Sequence, residues 1–557
     1  MRFSLPILGR LSGWHCVAFV CASFCSALFS GTALAEQDQE APPADTLVIC
    51  PPEYVEAMRP WFAHRAAQGH EIGVVTETAS SDKIRETIRH TAQSGHLKTV
   101  VLVGDIPRFG ATGQVVSPGV PTHRAQAQVN VLFGSEPHLA TDNWYADLTD
   151  DGTPDLAIGR LSCRDVDQLK VIVAKTLAYE NQAKPGAWQR NLNFVAGVGG
   201  FGTVIDAMLE GATKKFLTDE IPPHFHAQVA YGSWQSPYCP DPREFRDEML
   251  RQLNEGSLFW VYMGHGHPQN LDQIQVPGGQ YPILSLTDVP LLKNQSTRPI
   301  AIFLSCYSGA YDATADCLAE HMVRAEGGPV AALAGSRVTM PYAMSVMGTE
   351  MLGQFFRERP ETLGELILLS KQEMVAAKQN SGNRKMLDLL AKMMSPKPGL
   401  LEEERREHVA LFNLLGDPLL RLSHPQNATL EVAETANAGS ELIVRGSLPM
   451  SGNVRLELVC RRDGYTQKPP IRREFSADHD HLSGFNATYH QANNHIWTDT
   501  TFPGQGGVFQ QVLTIPAHCL GPCYVRVLVE GEKGIAVGSQ AIEISPAGKV
   551  AEDASAE

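Results

Sequence analysis

From Thr46 onward, short apolar runs alternate with amphipathic stretches, and that rhythm restricts the chain to one broad class of fold. Thr46–Cys50, Ile72–Val75 and Thr99–Gly104 have the length and β-branched content of buried strands. Between the last two, Ser81–Ala92 repeats Ile84 and Ile88 at helical spacing. Strand, helix, strand at this interval implies a parallel sheet. The pattern restarts after Tyr179. Asn193–Ala196, Ser257–Met263, Pro299–Leu304 and Pro329–Ala334 read as strands. Val204–Leu217, Glu244–Leu253, Cys317–Arg324, Met344–Glu358 and Thr362–Lys378 read as helices. The expectation is two α/β units in tandem, 46–190 and 191–425.

After Pro425 the periodicity changes from helical to alternating. Val454, Leu456, Leu458 and Cys460 alternate with Arg455, Glu457 and Val459, and Tyr524–Glu530 and Ile542–Ile544 are further strand-like runs. Gly and Pro lie between them, so 426–546 reads as an antiparallel β-sandwich. Residues 547–557 are small and acidic, the composition of a disordered tail. A chain of 557 residues exceeds a single core, which agrees with several domains.

Residues 1–35 have the anatomy of a secretory signal: Arg2 and Arg10, an apolar stretch over 17–29, and Ala33-Leu34-Ala35 before Glu36. The apolar stretch is shorter than the ~20 residues a membrane span needs, so no stable span is expected. Residues 36–45 are polar and read as a linker. The formal charge of −15 and the lack of a long basic run argue against a nucleic-acid surface. Of the 11 cysteines, Cys16, Cys21 and Cys25 lie in the signal, which leaves eight in an exported chain. Cys460, Cys519 and Cys523 can include one disulfide, but their odd number leaves the pairing open. Cys519 and Cys523 have no second pair at zinc-site spacing.

Two of the predicted strands end in chemistry. Val261-Tyr-Met-Gly-His265-Gly-His267 follows one apolar run, and Ser305-Cys306-Tyr-Ser-Gly follows the next. Reacting groups in open α/β sheets collect beyond the carboxyl ends of strands. A thiol becomes a nucleophile as thiolate, and an imidazole beside it can take its proton and later protonate a leaving group. Cys306 is therefore the candidate nucleophile and His265 its acid/base partner. Gly264 and Gly266 allow close backbone approach, and the N–H groups of Gly266 and Cys306 are candidate oxyanion donors. Cys163, Cys239 and Cys317 have no comparable strand-end setting. Gly335-Ser-Arg337 and Thr339-Met-Pro-Tyr342, just after a predicted strand, are candidates to line a specificity pocket. A rival reading makes His265 and His267 ligands of a hydrolytic metal, with Asp272 or His321 as the third, but no further ligand cluster follows at metal-site spacing.

Two other motifs carry alternatives. Gly197-Val-Gly-Gly-Phe-Gly202 matches G-x-G-x-x-G after a strand, yet the following strand ends in Tyr231-Gly232-Ser233 without the acid a dinucleotide ribose requires. It reads as a tight strand-to-helix turn. Asp147, Thr149, Asp151 and Asp155 place oxygens around Gly152 in the manner of a calcium loop, although position 12 of such a loop would be Ile158 rather than Glu. A structural calcium and a plain acidic turn both fit. No cofactor is needed for the chemistry.

Taken together, Tyr262-Met-Gly-His-Gly266, Ser305-Cys-Tyr-Ser-Gly309, Asp142-Asn-Trp-Tyr-Ala-Asp147, Asp155-Leu-Ala-Ile-Gly-Arg160 and Asn413-Leu-Leu-Gly-Asp-Pro418 resemble the gingipain-type cysteine peptidases, relatives of caspases and legumains. The resemblance runs over roughly 95–425. It implies a tandem caspase-like α/β fold followed by an immunoglobulin-like sandwich, with Cys306 as nucleophile and His265 as its partner. It also implies protein or peptide substrates and, in some members, structural calcium. The chain departs from the pattern at the carboxylate that the family often supplies upstream to orient the histidine. The matching segment, Ala196-Gly-Val-Gly-Gly200, has none, and Asp206 is the nearest substitute. That departure is the best support for the rival expectation, a catalytically silent relative that serves as a secreted binding or surface module. Residues 36–45 are also too few for the folded pro-region of many members.

Overall fold

The computed structural model describes residues 18–19, 43–109, 114–181, 184–198, 218–376 and 382–547. The α/β region is built on strands β1 (Thr46–Ile49), β2 (Ile72–Val75), β3 (Thr99–Val103), β4 (Ala157–Leu161), β5 (Asn191–Ala196), β6 (His226–Tyr231), β7 (Phe259–Met263), β8 (Ile300–Leu304), β9 (Ala331–Gly335) and β10 (Phe412–Leu415). With the two-residue segment Ala18–Phe19 they form one eleven-stranded sheet in the order Ala18–Phe19, β2, β1, β3, β4, β10, β9, β8, β7, β5, β6. All neighbours are parallel except Ala18–Phe19 on β2 and β9 on β10. The two predicted units are thus halves of a single sheet rather than two sheets. β10 joins them, antiparallel to β9 and level with Arg160 of β4. The Gly416 N–H donates to the Arg160 carbonyl at 2.8 Å.

The longer helices among the described residues are α1 (Val55–Ala67), α2 (Ser81–Ala92), α3 (Val166–Asn181), α4 (Phe245–Glu255), α5 (Leu318–Arg324), α6 (Pro341–Arg357), α7 (Leu363–Val375), α8 (Gly382–Met394), α9 (Leu401–Leu411) and, later in the chain, α10 (His479–Asn493). They cover both faces of the sheet, as near-continuous apolar strands require. Val48, Val101, Trp260, Tyr262 and Phe303 pack on one face with Trp61 of α1, Leu169 of α3, Met249 of α4 and Met322 of α5. On the other face Ile49 and Leu102 meet Ile84 and Ile88 of α2, while Val261, Ile302 and Leu333 meet Met347 of α6, Leu366 of α7 and Val409 of α9. The predicted helix Val204–Leu217 and Asp206 lie outside the described residues.

Between 426 and 545, seven strands form one hydrogen-bonded sheet, with its core at Leu456, Leu458, Val525 and Val527. Its long members are β11 (Glu441–Cys460), β12 (Ile496–Thr514), β13 (Gly521–Glu530) and β14 (Ile535–Ser545). β11 pairs with β12 along its length and with β13 over 453–460. The all-β character expected after Pro425 is present. All seven strands are joined in one hydrogen-bonded sheet, because β11 is long enough to bond partners at both ends. α10 is inserted between β11 and β12 and packs on the edge strand β6. There the Asn493 side chain accepts from the Val229 N–H at 2.8 Å and donates to the Val229 carbonyl at 3.0 Å.

The β-domain is bolted to the α/β body by charge. Glu457 of β11 is fully buried between Arg190, at 3.0 Å, and Arg526. Arg462 donates to the carbonyls of Pro222 and Phe225 at 2.6 and 2.8 Å. No helix among the described residues is long and apolar enough to cross a membrane.

Candidate active site

Three strand tips build the site. β7 and β8 are neighbours in parallel register, Tyr262 beside Phe303 and Met263 beside Leu304. His265 and Cys306 each follow two residues later and so emerge at the same height. The Gly264 N–H reaches the Leu304 carbonyl at 3.3 Å and keeps the strands together past their ends. Gly266 then lies directly on the Cys306 backbone. A Cβ there would stand 2.6 Å from the Cys306 oxygen and 3.0 Å from Ser305 Cβ. Only glycine permits this approach of the histidine loop to the cysteine loop. Neither the Gly266 nor the Cys306 N–H is taken up by a hydrogen bond among the described residues.

Cys306 is the one cysteine among the described residues that is not buried. Tyr307, immediately after it, has φ 56°, a left-handed conformation uncommon for a large side chain and of the kind that concentrates at functional turns. The turn is fixed by the Tyr307 N–H to the Arg337 carbonyl at 3.1 Å and the Gly309 N–H to the Gly335 carbonyl at 3.0 Å. The segment after β9 also supplies a contact to the sulfur. The Thr339 N–H donates to Cys306 Sγ at 3.3 Å, and Thr339 Oγ1 lies 3.6 Å away. Burial pushes the Cys50 and Cys239 thiols up to about 12, and those of Cys163 and Cys317 higher still. These four are poor nucleophiles at neutral pH.

α9 holds the Thr339 segment from behind, a role the sequence reading missed. His408 Nε2 accepts from the Met340 N–H at 2.8 Å while its Nδ1–H donates to the Glu404 carbonyl at 2.7 Å. Glu404 accepts from the Ala343 N–H at 3.2 Å. Glu407 accepts from the N–H groups of Gln128, Val129 and Asn130 at 2.5, 2.8 and 2.9 Å, and Asn130 in turn donates to the Val338 carbonyl. Burial holds the His408 imidazole down at about 4, hence neutral, which matches its use as an acceptor.

Arg337 is committed to Asp312 through two bonds of 2.7 and 2.6 Å and to the His138 carbonyl at 2.9 Å, so it holds the loop rather than opening a pocket. Glu136, more than half exposed, accepts from the Tyr307 hydroxyl at 2.8 Å beside the nucleophile. The ligand atoms of His265, His267 and either Asp272 or His321 are not gathered into a metal set; among the described residues the sole such cluster is Asp105, Asp316 and Glu320. That trio is paired with Arg108, Arg164 and Arg324.

In the 147–155 loop, Asp147 accepts from the Gly152 N–H, Asp151 from the Thr153 N–H, and Asp155 from the Leu148 N–H and the Thr149 hydroxyl. Their oxygens do not converge, and Arg85 and Arg89 pair with Asp150. The arrangement is a hydrogen-bonded turn in which Asp147 Oδ1 is buried without a hydrogen-bond partner. Gly197 of the glycine-rich motif is a packing residue: a Cβ there would stand 2.7 Å from the Tyr262 hydroxyl and 3.3 Å from Gly264 Cα. The sulfurs of Cys519 and Cys523 lie 3.9 Å apart, and Cys460 is the cross-strand partner of Cys523.

Comparison with known proteins places the chain in a family. The profile of peptidase family C25 matches residues 39–423. Gingipain R2 of Porphyromonas gingivalis (strain ATCC BAA-308 / W83) is 22% identical over 363 residues, which is 61% of this chain and 44% of that protein. Gingipain R1 of Porphyromonas gingivalis is 23% identical over 337 residues, 57% of this chain and 30% of that protein. The chain therefore spans less than half the length of these curated relatives. The crystal structure of the Arg-specific cysteine proteinase gingipain R aligns with a TM-score of 0.51 at 14% identity, covering 91% of this chain and 99% of that one. A structure described only as a protease aligns with a TM-score of 0.50 at 14% identity, covering 90% and 98%. At such identities these two likenesses speak for the fold.

Proposed function

Because the chain belongs to peptidase family C25, a family of cysteine peptidases, we propose that it is an active, exported endopeptidase in which Cys306 is the nucleophile and His265 the acid/base. The observation that carries the reading is the equal height of the two residues on adjacent parallel strands, with Gly266 closing the gap between their loops. His265 would accept the thiol proton. The thiolate, steadied by the Thr339 N–H, would attack the carbonyl carbon of a peptide bond. The N–H groups of Gly266 and Cys306 point to the oxyanion role, since such donors stabilise charge that develops only in the transition state. The imidazolium would then protonate the departing amine, and water would release the acyl group from sulfur with His265 as base.

A peptide-based electrophile that alkylates thiols tests this. Peptide mapping should find it on Cys306, and Cys306→Ala should abolish both labelling and hydrolysis of a mixed peptide library with the melting temperature retained. His265→Ala should lower the rate at least ~100-fold. Label on another cysteine, or full activity in Cys306→Ala, refutes the assignment. Failure of the wild type to hydrolyse any peptide would favour a binding role. Export rests on residues 1–35, and N-terminal sequencing of the mature protein should begin at or near Glu36.

A further inference from the structure

We propose that Asp272 is the positioning residue for His265. The inference rests on the peptidase reading above and supplies the carboxylate that Ala196–Gly200 lacks. His265 lies in a loop that turns back on itself, and Asp272 lies on the returning segment, just before the strand Gln273–Val276. Gly266 and Leu271 form an antiparallel bridge, and the His267 N–H donates to the Asn270 carbonyl at 2.9 Å. Carried one step further, the same register sets Asp272 opposite His265, although no hydrogen bond joins their side chains. Opposite residues of an antiparallel pair share a face and have Cβ atoms only ~5 Å apart. The Tyr262 hydroxyl ties the pair, donating to the His265 carbonyl at 2.7 Å and accepting from the Asp272 N–H at 3.4 Å.

The lateral order of the groups is the second observation. Asp272 Oδ2 accepts from the Val198 N–H at 3.2 Å and lies 3.4 Å from where a Cβ on Gly197 would be. The carboxylate therefore sits over the tip of β5. In the sheet β5 adjoins β7, and β7 adjoins β8. Across the three tips the sequence of groups is Asp272, His265, Cys306. An acid on the far side of the base from the nucleophile is the arrangement in which it fixes the imidazole tautomer and stabilises the imidazolium. The second oxygen of Asp272 accepts from the Gln273 N–H at 2.8 Å, so the carboxylate is held in place before any substrate arrives. The small Gly197 leaves it the room. The site thus draws its third group from the returning segment of the histidine loop.

The test is the rate at which iodoacetamide alkylates Cys306 at pH 7, read by peptide mapping, which needs no substrate. A carboxylate beside the imidazolium shifts the ion-pair population by about tenfold per pKa unit. Asp272→Asn, which keeps one acceptor oxygen, should slow alkylation at least ~10-fold with an unchanged melting temperature. Asp272→Glu should retain more of the rate than Asn, and added formate should restore part of the rate in Asp272→Ala. With a peptide substrate, Asp272→Asn should lower kcat and leave KM within about twofold. An unchanged alkylation rate in folded Asp272→Asn overturns the proposal, as does a Glu variant no faster than Asn. Cys306-dependent hydrolysis with Asp272-independent alkylation removes the positioning role alone. Asp272-dependent alkylation without hydrolysis of any peptide supports the positioning role and removes the peptidase reading alone.

Discussion

A single missing methyl group sets how close the two reacting loops come. Gly266 rests on the Cys306 carbonyl, and the added carbon of Gly266→Ala would meet backbone at 2.6 Å, which no side-chain rotation relieves. The loops must part, and displacement of about 1 Å in a reacting group costs on the order of 100-fold in rate. Gly266→Ala should therefore lose about that much peptidase activity while the far-ultraviolet circular dichroism stays native. Activity within threefold of wild type would show that the contact is dispensable. At this scale the sequence was partly legible. His265 and Cys306 stood out because each ends an apolar run, a signal that lies along the chain. Asp272 is only seven places from His265, but what matters is a loop register that no local pattern announces, so it was read as a possible metal ligand.

Among the elements, α9 does more for the site than its sequence suggests. Leu-Glu-Glu-Glu-Arg-Arg-Glu-His-Val-Ala-Leu over 401–411 looks like a solvated helix. Glu404, Glu407 and His408 share one helical face and are buried, satisfying backbone N–H groups in the segments 128–130 and 340–343. Charged residue types conceal the burial, because hydrophobic periodicity cannot register an acid that replaces water for another segment's backbone. Glu407→Ala strands the buried N–H groups of Val129 and Asn130 and the N–H of the more exposed Gln128. It should destabilise the protein by about 3 kcal/mol in urea unfolding, and the surviving fold should react more slowly at Cys306. A cost under ~1 kcal/mol would mean that water replaces the carboxylate. Eight of the ten strands of the large sheet were legible, since both faces are covered and the apolar runs are continuous, whereas β4 and β10 were missed because Arg160 and Asn413 interrupt theirs. Helix α1 was missed: Pro60 interrupts its pattern and the sheet packs it regardless.

For the whole molecule, acid is the condition that probes how its parts are held together. His408 is buried and neutral, and at the joint with the β-domain burial likewise depresses His224 and His495 to about 4 and His226 to about 3, aided by Arg462, Arg190 and Arg526. These folded values lie below the ~6.5 of a free imidazole. Above pH ~6.5 neither state carries the proton, and the full stability is present. As pH falls, the unfolded chain takes up protons that the folded one refuses, so stability declines from about pH 6.5 to about 4, by on the order of 2 kcal/mol for a fully buried ring. Glu457 resists longer. Burial raises its carboxyl, but Arg526 and Arg190 outweigh that and hold it at about 2, so its share is lost only as pH drops from ~4.5 toward 2. Arg526, lowered to about 10 by burial, stays charged throughout. Melting temperature should thus fall in two stages, and His408→Gln should flatten the first. A melting temperature constant from pH 7 to 5 would contradict this. The joint itself was invisible in the sequence, because Arg190, Glu457 and Arg526 lie far apart along the chain.

The place of Phe412–Leu415 has a further consequence for biogenesis. The strand is the last of the α/β region to leave the ribosome, yet it takes the middle position of the sheet, between Ala157–Leu161 and Ala331–Gly335. Until it arrives, each half of the nascent chain ends in a bare edge, the form of β-structure most prone to pair with the wrong neighbour. The two halves cannot mature one after the other as independent domains do. Their completion is a single late event, and a chain stopped before Phe412 leaves two open edges where the finished protein has none.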